Sequence, residues 1–438
     1  DSAHRTFGGI RAKAQNVHSS MAISTLGSVP IATARRRIAA LLLGGVAACS
    51  EAPPNGPALD GHIAYGAPDG AVDAEVDAGP VEPQPPSGCF LAGPIEVYRG
   101  TDPVTSLSFA PGDEDFLVAY AVDGPVGSDV RVRHLDAART MHSPLTVTDA
   151  PGEYAEIALT ATSAGWLLVF TDGQRGVVSR HLSPEALRLD EAPSLEVTLT
   201  EAGAGSPTLA RTGEEVVFAY RGQLDGVAGA FQRRLGSDGT PTTNASLVVS
   251  DDLIDLEVIG GSEGFFAAWS DPAGRVYGRR MTRTSLGPIS ALNELDPAPT
   301  GAFELGFSGA TFSTLTGLAE LDVRTVRFRH ISESGSVSGE PRVLPYRRGE
   351  YAEFSVARFA AGFAVAYRHV EAGRNQLRIA LMDVDGDELF NTALTGLFNG
   401  EGDVVIRQSK DGRIAVLWSD VSLSGDNLLR VADVGCNP

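Results

Sequence analysis

Lysine and cysteine are scarce in this 438-residue chain. The only lysines are Lys13 and Lys410, and cysteine occurs three times. So few cysteines exclude a small scaffold held together by many disulfides. Basic residues are also outnumbered by acidic ones. The chain has 35 Lys and Arg against 55 Asp and Glu, which gives a net charge of −20. A surface of that sign repels phosphate backbones, so we expect no nucleic-acid partner.

Long apolar runs and familiar catalytic motifs are absent as well. The run "IAALLLGGVAA" is too short to cross a bilayer as a stable helix. HExxH and a phosphate-binding glycine loop do not occur, so the enzyme classes defined by these two motifs have no support. After residue 89 no long stretch has a helical period.

The stretch "ARRRIAALLLGGVAAC", residues 34–49, has a basic region, a short apolar run and small residues before a cysteine. This pattern predicts a secretory signal peptide over residues 1–48, with Met21 as a candidate true start. The ending "VAAC" resembles the lipobox of bacterial lipoproteins. That resemblance implies lipidation of Cys49. Ser50 follows this cysteine, which resembles the pattern of lipoproteins sorted to the outer membrane of two-membrane bacteria. The alternative is an ordinary signal peptide with a chance cysteine.

Residues 49–88 are rich in Pro, Gly, Ala and Asp and poor in large apolar side chains. Such a segment cannot bury enough surface to offset its ordering entropy. We therefore expect a disordered, acidic, extended linker that holds a folded domain away from a membrane surface.

A unit of roughly fifty residues recurs after Cys89. Each copy has an apolar strand that ends in an aromatic residue, a polar turn, and a second strand with Arg and an aliphatic. The fifth copy is degenerate and has Leu where the others have an aromatic. The anchors are Tyr120, Phe170, Tyr220, Trp269, Leu321, Tyr367 and Trp418.

Each unit has room for four short strands, which in the second copy are "PLTVTD", "EIALTAT", "WLLVFTD" and "VVSRHL". Seven such units predict an all-β fold, a seven-bladed β-propeller with four-stranded blades over residues 89–438. Six or eight blades are the alternatives if the ends are miscounted. The units also resemble bacterial secreted repeats of the form G-x-[FY]-x-V-x-W-x-D, a loose motif that implies no fixed function.

Two cysteines remain beside Cys49. Cys89 precedes the strand "PIEVY", and Cys436 follows the strand "LLRVADV". In other units a short turn joins these two strand types, so the cysteines stand where that turn is missing. We predict a Cys89–Cys436 disulfide that closes the ring, formed in an oxidising compartment after export. The alternative is two free thiols that meet by chance.

The connection before each predicted second strand carries carboxylates in nearly every unit. The near-copies "GEYAEI" (152–157) and "GEYAEF" (349–354) occupy the same position in units two and six, which duplication explains. If the second strand is innermost, these connections ring the channel mouth, where Ca²⁺ or a basic ligand would offset the repulsion between carboxylates. Solvated turn carboxylates are the plainer alternative. The candidate ligand-binding residues are Glu153, Tyr154, Glu156, Glu350, Tyr351 and Glu353.

Three other motifs have plain structural interpretations. "DVDGDE" at 383–388 faintly resembles a calcium loop, but its spacing favours a hairpin turn. "GSDGT" at 236–240 faintly resembles the Asp-box turn of sialidase-like propellers without the following aromatic. His134, His181 and His330 share one repeat position, so they belong to different blades and are not expected to meet around zinc.

The sequence thus favours a monomeric, lipid-anchored, non-enzymatic binding or scaffold module of the cell envelope. Its expected partner is a protein, a glycan or an envelope component, and its only membrane contact is the lipid. No cofactor is expected, with Ca²⁺ as the exception to test. The rival is a polysaccharide hydrolase or lyase with an acidic site at the channel mouth, because propellers host such sites.

Overall fold

The computed structural model describes residues 88–186, 196–197, 205–213, 215–262, 264–292, 299–307, 312–320, 323–332, 334–343, 350–359, 362–371, 374–395, 403–422 and 424–437. Every regular element in these ranges is a β-strand. None of the described segments forms a helix long and apolar enough to cross a membrane. The signal-peptide region, Cys49 and the linker up to residue 87 lie outside the described residues.

The strands follow one another with short connections. The first fourteen are β1 (Gly88–Gly100), β2 (Val104–Pro111), β3 (Phe116–Gly124), β4 (Gly127–Leu135), β5 (Leu145–Thr146), β6 (Tyr154–Thr162), β7 (Gly165–Asp172), β8 (Gly176–Leu182), β9 (Glu196–Val197), β10 (Gly205–Thr212), β11 (Glu215–Leu224), β12 (Val227–Leu235), β13 (Ser246–Val249) and β14 (Asp255–Gly260). The others are β15 (Phe265–Ser270), β16 (Val276–Met281), β17 (Ser290–Ala291), β18 (Pro299–Phe307), β19 (Phe312–Glu320), β20 (Val323–Ile331), β21 (Val337–Val343), β22 (Glu350–Phe359), β23 (Gly362–Glu371), β24 (Arg374–Met382), β25 (Glu388–Ala393), β26 (Val404–Gln408), β27 (Ile414–Val421) and β28 (Asn427–Asn437).

Within the described residues these strands form seven four-stranded sheets. Six of them are simple antiparallel meanders, namely β2–β5, β6–β9, β10–β13, β14–β17, β18–β21 and β22–β25. The remaining sheet has the order β1-β28-β27-β26, so its outermost strand comes from the start of the domain. A polypeptide that closes a ring in this way holds its first and last strands in one sheet.

The first strand of each sheet is the innermost, because each contacts the first strands of both neighbouring sheets. β2 contacts β6, and the contacts continue through β10, β14, β18, β22 and β26 back to β2. The expected all-β propeller with four-stranded blades is therefore confirmed. We use "upper face" for the end where the inner strands begin and "lower face" for the end where they finish.

The core lies between the blades. Seven clusters of buried apolar side chains occur in the described residues, and each combines side chains of two neighbouring sheets. The aromatic anchors are buried in these interfaces, as the repeat predicts for Tyr120, Phe170, Tyr220, Trp269, Tyr367 and Trp418. Leu321 lies outside the described residues. A small sheet cannot bury both of its faces alone, so stacking in a ring supplies the missing partner.

The prediction of the unit boundary needs a correction. Leu145–Thr146 of "PLTVTD" forms β5, the outermost strand of the preceding sheet, and β9 completes the sheet of β6, β7 and β8. The sequence unit is therefore displaced by one strand from the structural blade. The reason is the ring closure, which places the outermost strand of the last sheet at the beginning of the domain.

The cysteines also sit differently from the prediction. Cys89 lies within β1 and Cys436 within β28, not beside those strands, and the two are directly opposite each other in the antiparallel ladder. Cys89 is disulfide-bonded and buried among the apolar side chains between the last two blades. The extended strands continue past "PIEVY" and "LLRVADV" because pairing satisfies their backbone groups.

Candidate functional site

The inner strands share one structural need. Each is an edge strand of its own sheet, so half of its backbone N–H and C=O groups lack a ladder partner. Side chains of the preceding inner strand accept several of these N–H groups. Ser106 Oγ accepts from Ile157 N–H at 3.1 Å, and Ser355 Oγ accepts from Ile406 N–H at 3.3 Å. Short polar residues therefore recur in the inner strands for a structural reason.

Glu156 serves the same purpose on the upper face. It lies within a β-bulge in β6 and has a φ of 45°, and a bulge can redirect a side chain. Its Oε2 accepts a hydrogen bond from Ser206 N–H at 3.0 Å, and this bond joins two neighbouring blades. A Cβ at Gly205 would lie 2.6 Å from this oxygen and 3.1 Å from Arg221 Nη2, so the carboxylate and the guanidinium flank the same point.

Replacing Glu156 by alanine should therefore destabilise the protein. Ser206 N–H would lose its acceptor, and an unsatisfied amide costs about 1–3 kcal/mol. Chemical denaturation of Glu156→Ala, Glu156→Gln and wild type measures this, and the glutamine variant should keep most of the stability because its amide oxygen still accepts. Glu153→Ala, at an exposed position, is the control and should change stability by less than about 0.5 kcal/mol. Equal losses in both alanine variants would contradict the assignment.

Glu153 and Tyr154 lie at the start of β6. The Glu153 side chain is exposed, and its carboxylate lies over the turn at Gly173. The Tyr154 hydroxyl donates to the Ala150 carbonyl at 3.0 Å, and its ring meets Phe170 edge-on at 5.5 Å. Burial raises the pKa of Tyr154, and the negative charge of Asp172 adds to the rise. The tyrosine is thus held by the connection that precedes its strand.

The second hexapeptide occupies the equivalent backbone. Tyr351 pairs with His369 in the β22–β23 ladder, as Tyr154 pairs with Asp172 in the β6–β7 ladder, and both inner strands then have a register shift. The side chains of Glu350, Tyr351 and Glu353 lie outside the described residues. Their predicted part in ligand binding stays a prediction, as does that of Glu153, Tyr154 and Glu156.

A carboxylate inside the channel escaped the repeat pattern. Glu257 lies on β14 between the buried Leu256 and Val258, so its side chain points to the opposite face of the sheet, toward β18 of the next blade. Its Oε2 accepts from Leu305 N–H at 2.8 Å. Burial raises the pKa of Glu257 well above its ordinary 4.5, the Glu304 charge raises it further, and Arg407 opposes the rise. An acid between two large apolar residues of an inner strand, Leu256 and Val258, is the signal that would have found it.

The raised pKa of Glu257 predicts a pH dependence of stability. The folded state holds this proton more tightly than the unfolded state does, so the contribution is fully present below pH 4.5. It is lost as the pH rises from 4.5 through the raised folded pKa. In Glu257→Gln this part of the dependence should vanish, because glutamine does not titrate. Urea denaturation of wild type and variant across this pH range measures it, and identical slopes would contradict the assignment.

The remaining motifs agree with their structural interpretations. Residues 383–387 form a hairpin turn, in which Asp383 Oδ1 accepts from the N–H groups of Asp385 and Asp387 at 2.9 Å each. His134, His181 and His330 lie on β4, β8 and β20, in three different sheets. Within the described ranges no three His, Cys, Asp or Glu side chains are placed to hold a metal ion.

Several solved structures are similar to this chain. The WD40 repeats of RRP9 match with a TM-score of 0.49 and 10% identity over 80% of this chain and 99% of that one. The Dos1 propeller matches with 0.43 and 9%, over 78% and 94%. A subtype N10 neuraminidase-like protein of A/little yellow-shouldered bat/Guatemala matches with 0.41 and 10%, over 79% and 99%. No protein-family model and no curated protein matches the sequence. The chain is a β-propeller by its sheets, and these likenesses assign it no activity.

Proposed function

We propose that the protein is a non-enzymatic binding or scaffold propeller, held at the outer membrane by lipid on Cys49 and monomeric. The lipobox-like "VAAC" supports the anchor. The disulfide at Cys89 supports export, because disulfides persist in oxidising compartments. Changing Cys49 to Ser should release the protein from the membrane fraction, and membrane retention of that variant would contradict the anchor.

One observation carries the binding role. The upper face exposes apolar side chains beside carboxylates, with Val227 at the start of β12 and Ile254 before β14 exposed to 43% and 48%. Asp251 and Asp252 are exposed in the same connection as Ile254. Exposed apolar side chains rimmed by charge are typical of protein-binding surfaces. We therefore propose a protein of the cell envelope as the first partner to seek, with a glycan as the next.

Crosslinking in intact cells tests this role. We expect the wild-type protein to crosslink to a defined envelope partner, and the double variant Val227→Asp, Ile254→Asp to lose it. Leu389→Asp is the matched control, since Leu389 is 66% exposed on the outermost strand β25. A partner retained by all three proteins would contradict the upper face as the binding surface. For glycans and Ca²⁺, a ligand at a hundred times its Kd should stabilise the protein by about 2.7 kcal/mol.

A polysaccharide hydrolase or lyase is the second candidate, and Glu257 is the observation that favours it. A carboxyl group whose pKa is raised by burial and by a second carboxylate beside it is the arrangement that glycoside hydrolysis uses. Glu257 already accepts from Leu305 N–H, which is a structural role. If the protein is such a hydrolase or lyase, the Glu257→Gln variant should cleave polysaccharide about a hundred times more slowly than the wild type, or slower still.

A further inference from the structure

The lower face has a cavity of about 610 Å³ where the inner strands β22 and β26 end. Arg358, Arg407 and Lys410 line it, together with Gln408 and Asp411. Three cationic side chains therefore face one carboxylate in a chain whose net charge is −20. The volume falls within the range of about 300–1,000 Å³ that small-molecule sites occupy.

The carboxylate in the cavity wall is engaged in its own turn. Asp411 accepts hydrogen bonds from the Ser409 hydroxyl and from Arg413 N–H, and the Ser409 bond lowers the pKa of Asp411. It therefore stays ionised and serves the turn between β26 and β27. Lys410 pairs only loosely with Asp113, at 3.3 Å, with both side chains 79% exposed. Such an exposed pair contributes little and yields readily to a ligand.

Arg407 is the positioned cation of the cavity. Its Nη1 donates to Ser355 Oγ at 3.1 Å and to the Ile406 carbonyl at 2.8 Å. These bonds hold the guanidinium between the inner strands. The charge of Arg407 also acts on Glu257, where it partly opposes the rise in the Glu257 pKa that burial causes. Planar guanidinium groups bind the oxygens of carboxylates and phosphates in pairs, which a lysine does not do.

We propose that this cavity binds the oxyanion group, carboxylate or phosphate, of a small molecule such as an acidic sugar or a phosphate ester. Arg358, Arg407 and Lys410 supply the charge, and Gln408 supplies a neutral hydrogen-bonding group. The site lies on the face opposite the proposed partner surface. It goes beyond the binding of an envelope partner, and neither proposal requires the other.

Isothermal titration calorimetry of the full chain at constant ionic strength measures anion binding and so tests the site. The probes are inorganic phosphate and glucuronate, with glucose as the neutral control. We expect saturable binding of at least one anion, no binding of glucose, and roughly tenfold weaker binding for each of Arg358→Gln and Lys410→Gln, the loss of one charge-assisted hydrogen bond. Preference for phosphate or glucuronate identifies which oxyanion the site takes.

The matched control is Arg342→Gln. Arg342 is an exposed arginine on β21 that pairs with Asp387 at 3.6 Å, outside the cavity. It removes the same charge and should leave anion binding within twofold. Absence of saturable binding to both anions would overturn the proposal, and so would an equal loss in Arg342→Gln. All three substitutions are at exposed positions, so unchanged melting curves will show that the variants fold.

Discussion

Replacing Trp418 by alanine is expected to lower the free energy of unfolding by about 3–5 kcal/mol. Trp418 is 2% exposed and lies on β27, the third strand from the outside of the sheet that closes the ring. It packs with side chains of the β22–β25 sheet, such as Ala366 and Ile379. Its removal leaves a cavity in an interface that two blades share, and packed interiors relax only partly around such a cavity.

Chemical denaturation followed by circular dichroism measures the loss. The control is Leu389→Ala, because Leu389 is 66% exposed on β25 and its truncation should cost less than about 0.5 kcal/mol. A loss below about 1 kcal/mol for Trp418→Ala would show that this interface is not packed as described. It would also remove the reason for an aromatic residue at the repeat anchor.

Replacing Cys89 by serine should cost about 2–5 kcal/mol, the usual loss of a native disulfide. We propose Cys436 as the bonded partner, because it is directly opposite Cys89 in the ladder. The bond would close a loop of about 350 residues, for which the chain-entropy estimate is at most about 5 kcal/mol. The effect is large because the bond constrains nearly the whole domain in the unfolded state.

The same experiment has an internal check. Cys89→Ser, Cys436→Ser, the double variant and the reduced wild type should all have the same stability, since each lacks the same single bond. Non-reducing mass spectrometry of protein from its native compartment should find the two cysteines in one crosslinked peptide pair. If Cys436→Ser keeps wild-type stability, Cys436 is not the partner and the ring is not closed by this bond.

The fold was accessible from the sequence because its period is carried by large buried side chains. Tyr120, Phe170 and Tyr220 recur at a constant spacing, and each is buried between two sheets. The unit boundary was not accessible, because strand composition is the same on either side of it. Which strand is outermost depends on closure between β1 and β28, a contact between the two ends of the domain.

The candidate site was harder to predict from the sequence than the fold. Carboxylates in the connections stand out in the sequence, yet Glu156 is bonded to Ser206 N–H, a need that arises only when two inner strands meet. Glu257 sits within a strand, where the repeat comparison gives no warning. Its raised pKa comes from burial and from Glu304 on the next blade. Such effects depend on which side chains the ring brings together, and a single strand does not contain that information.

The most direct test of the non-enzymatic role asks whether a polysaccharide that binds to the protein is recovered uncleaved. Polysaccharides that raise the melting temperature of the wild-type protein are incubated with it and with Glu257→Gln, and their length distribution and new reducing ends are then measured. We predict that the wild-type protein returns each polysaccharide intact, indistinguishable from incubation with the variant. Shortened chains with the wild type, and intact chains with Glu257→Gln, would contradict the account and make the channel carboxylates an active site.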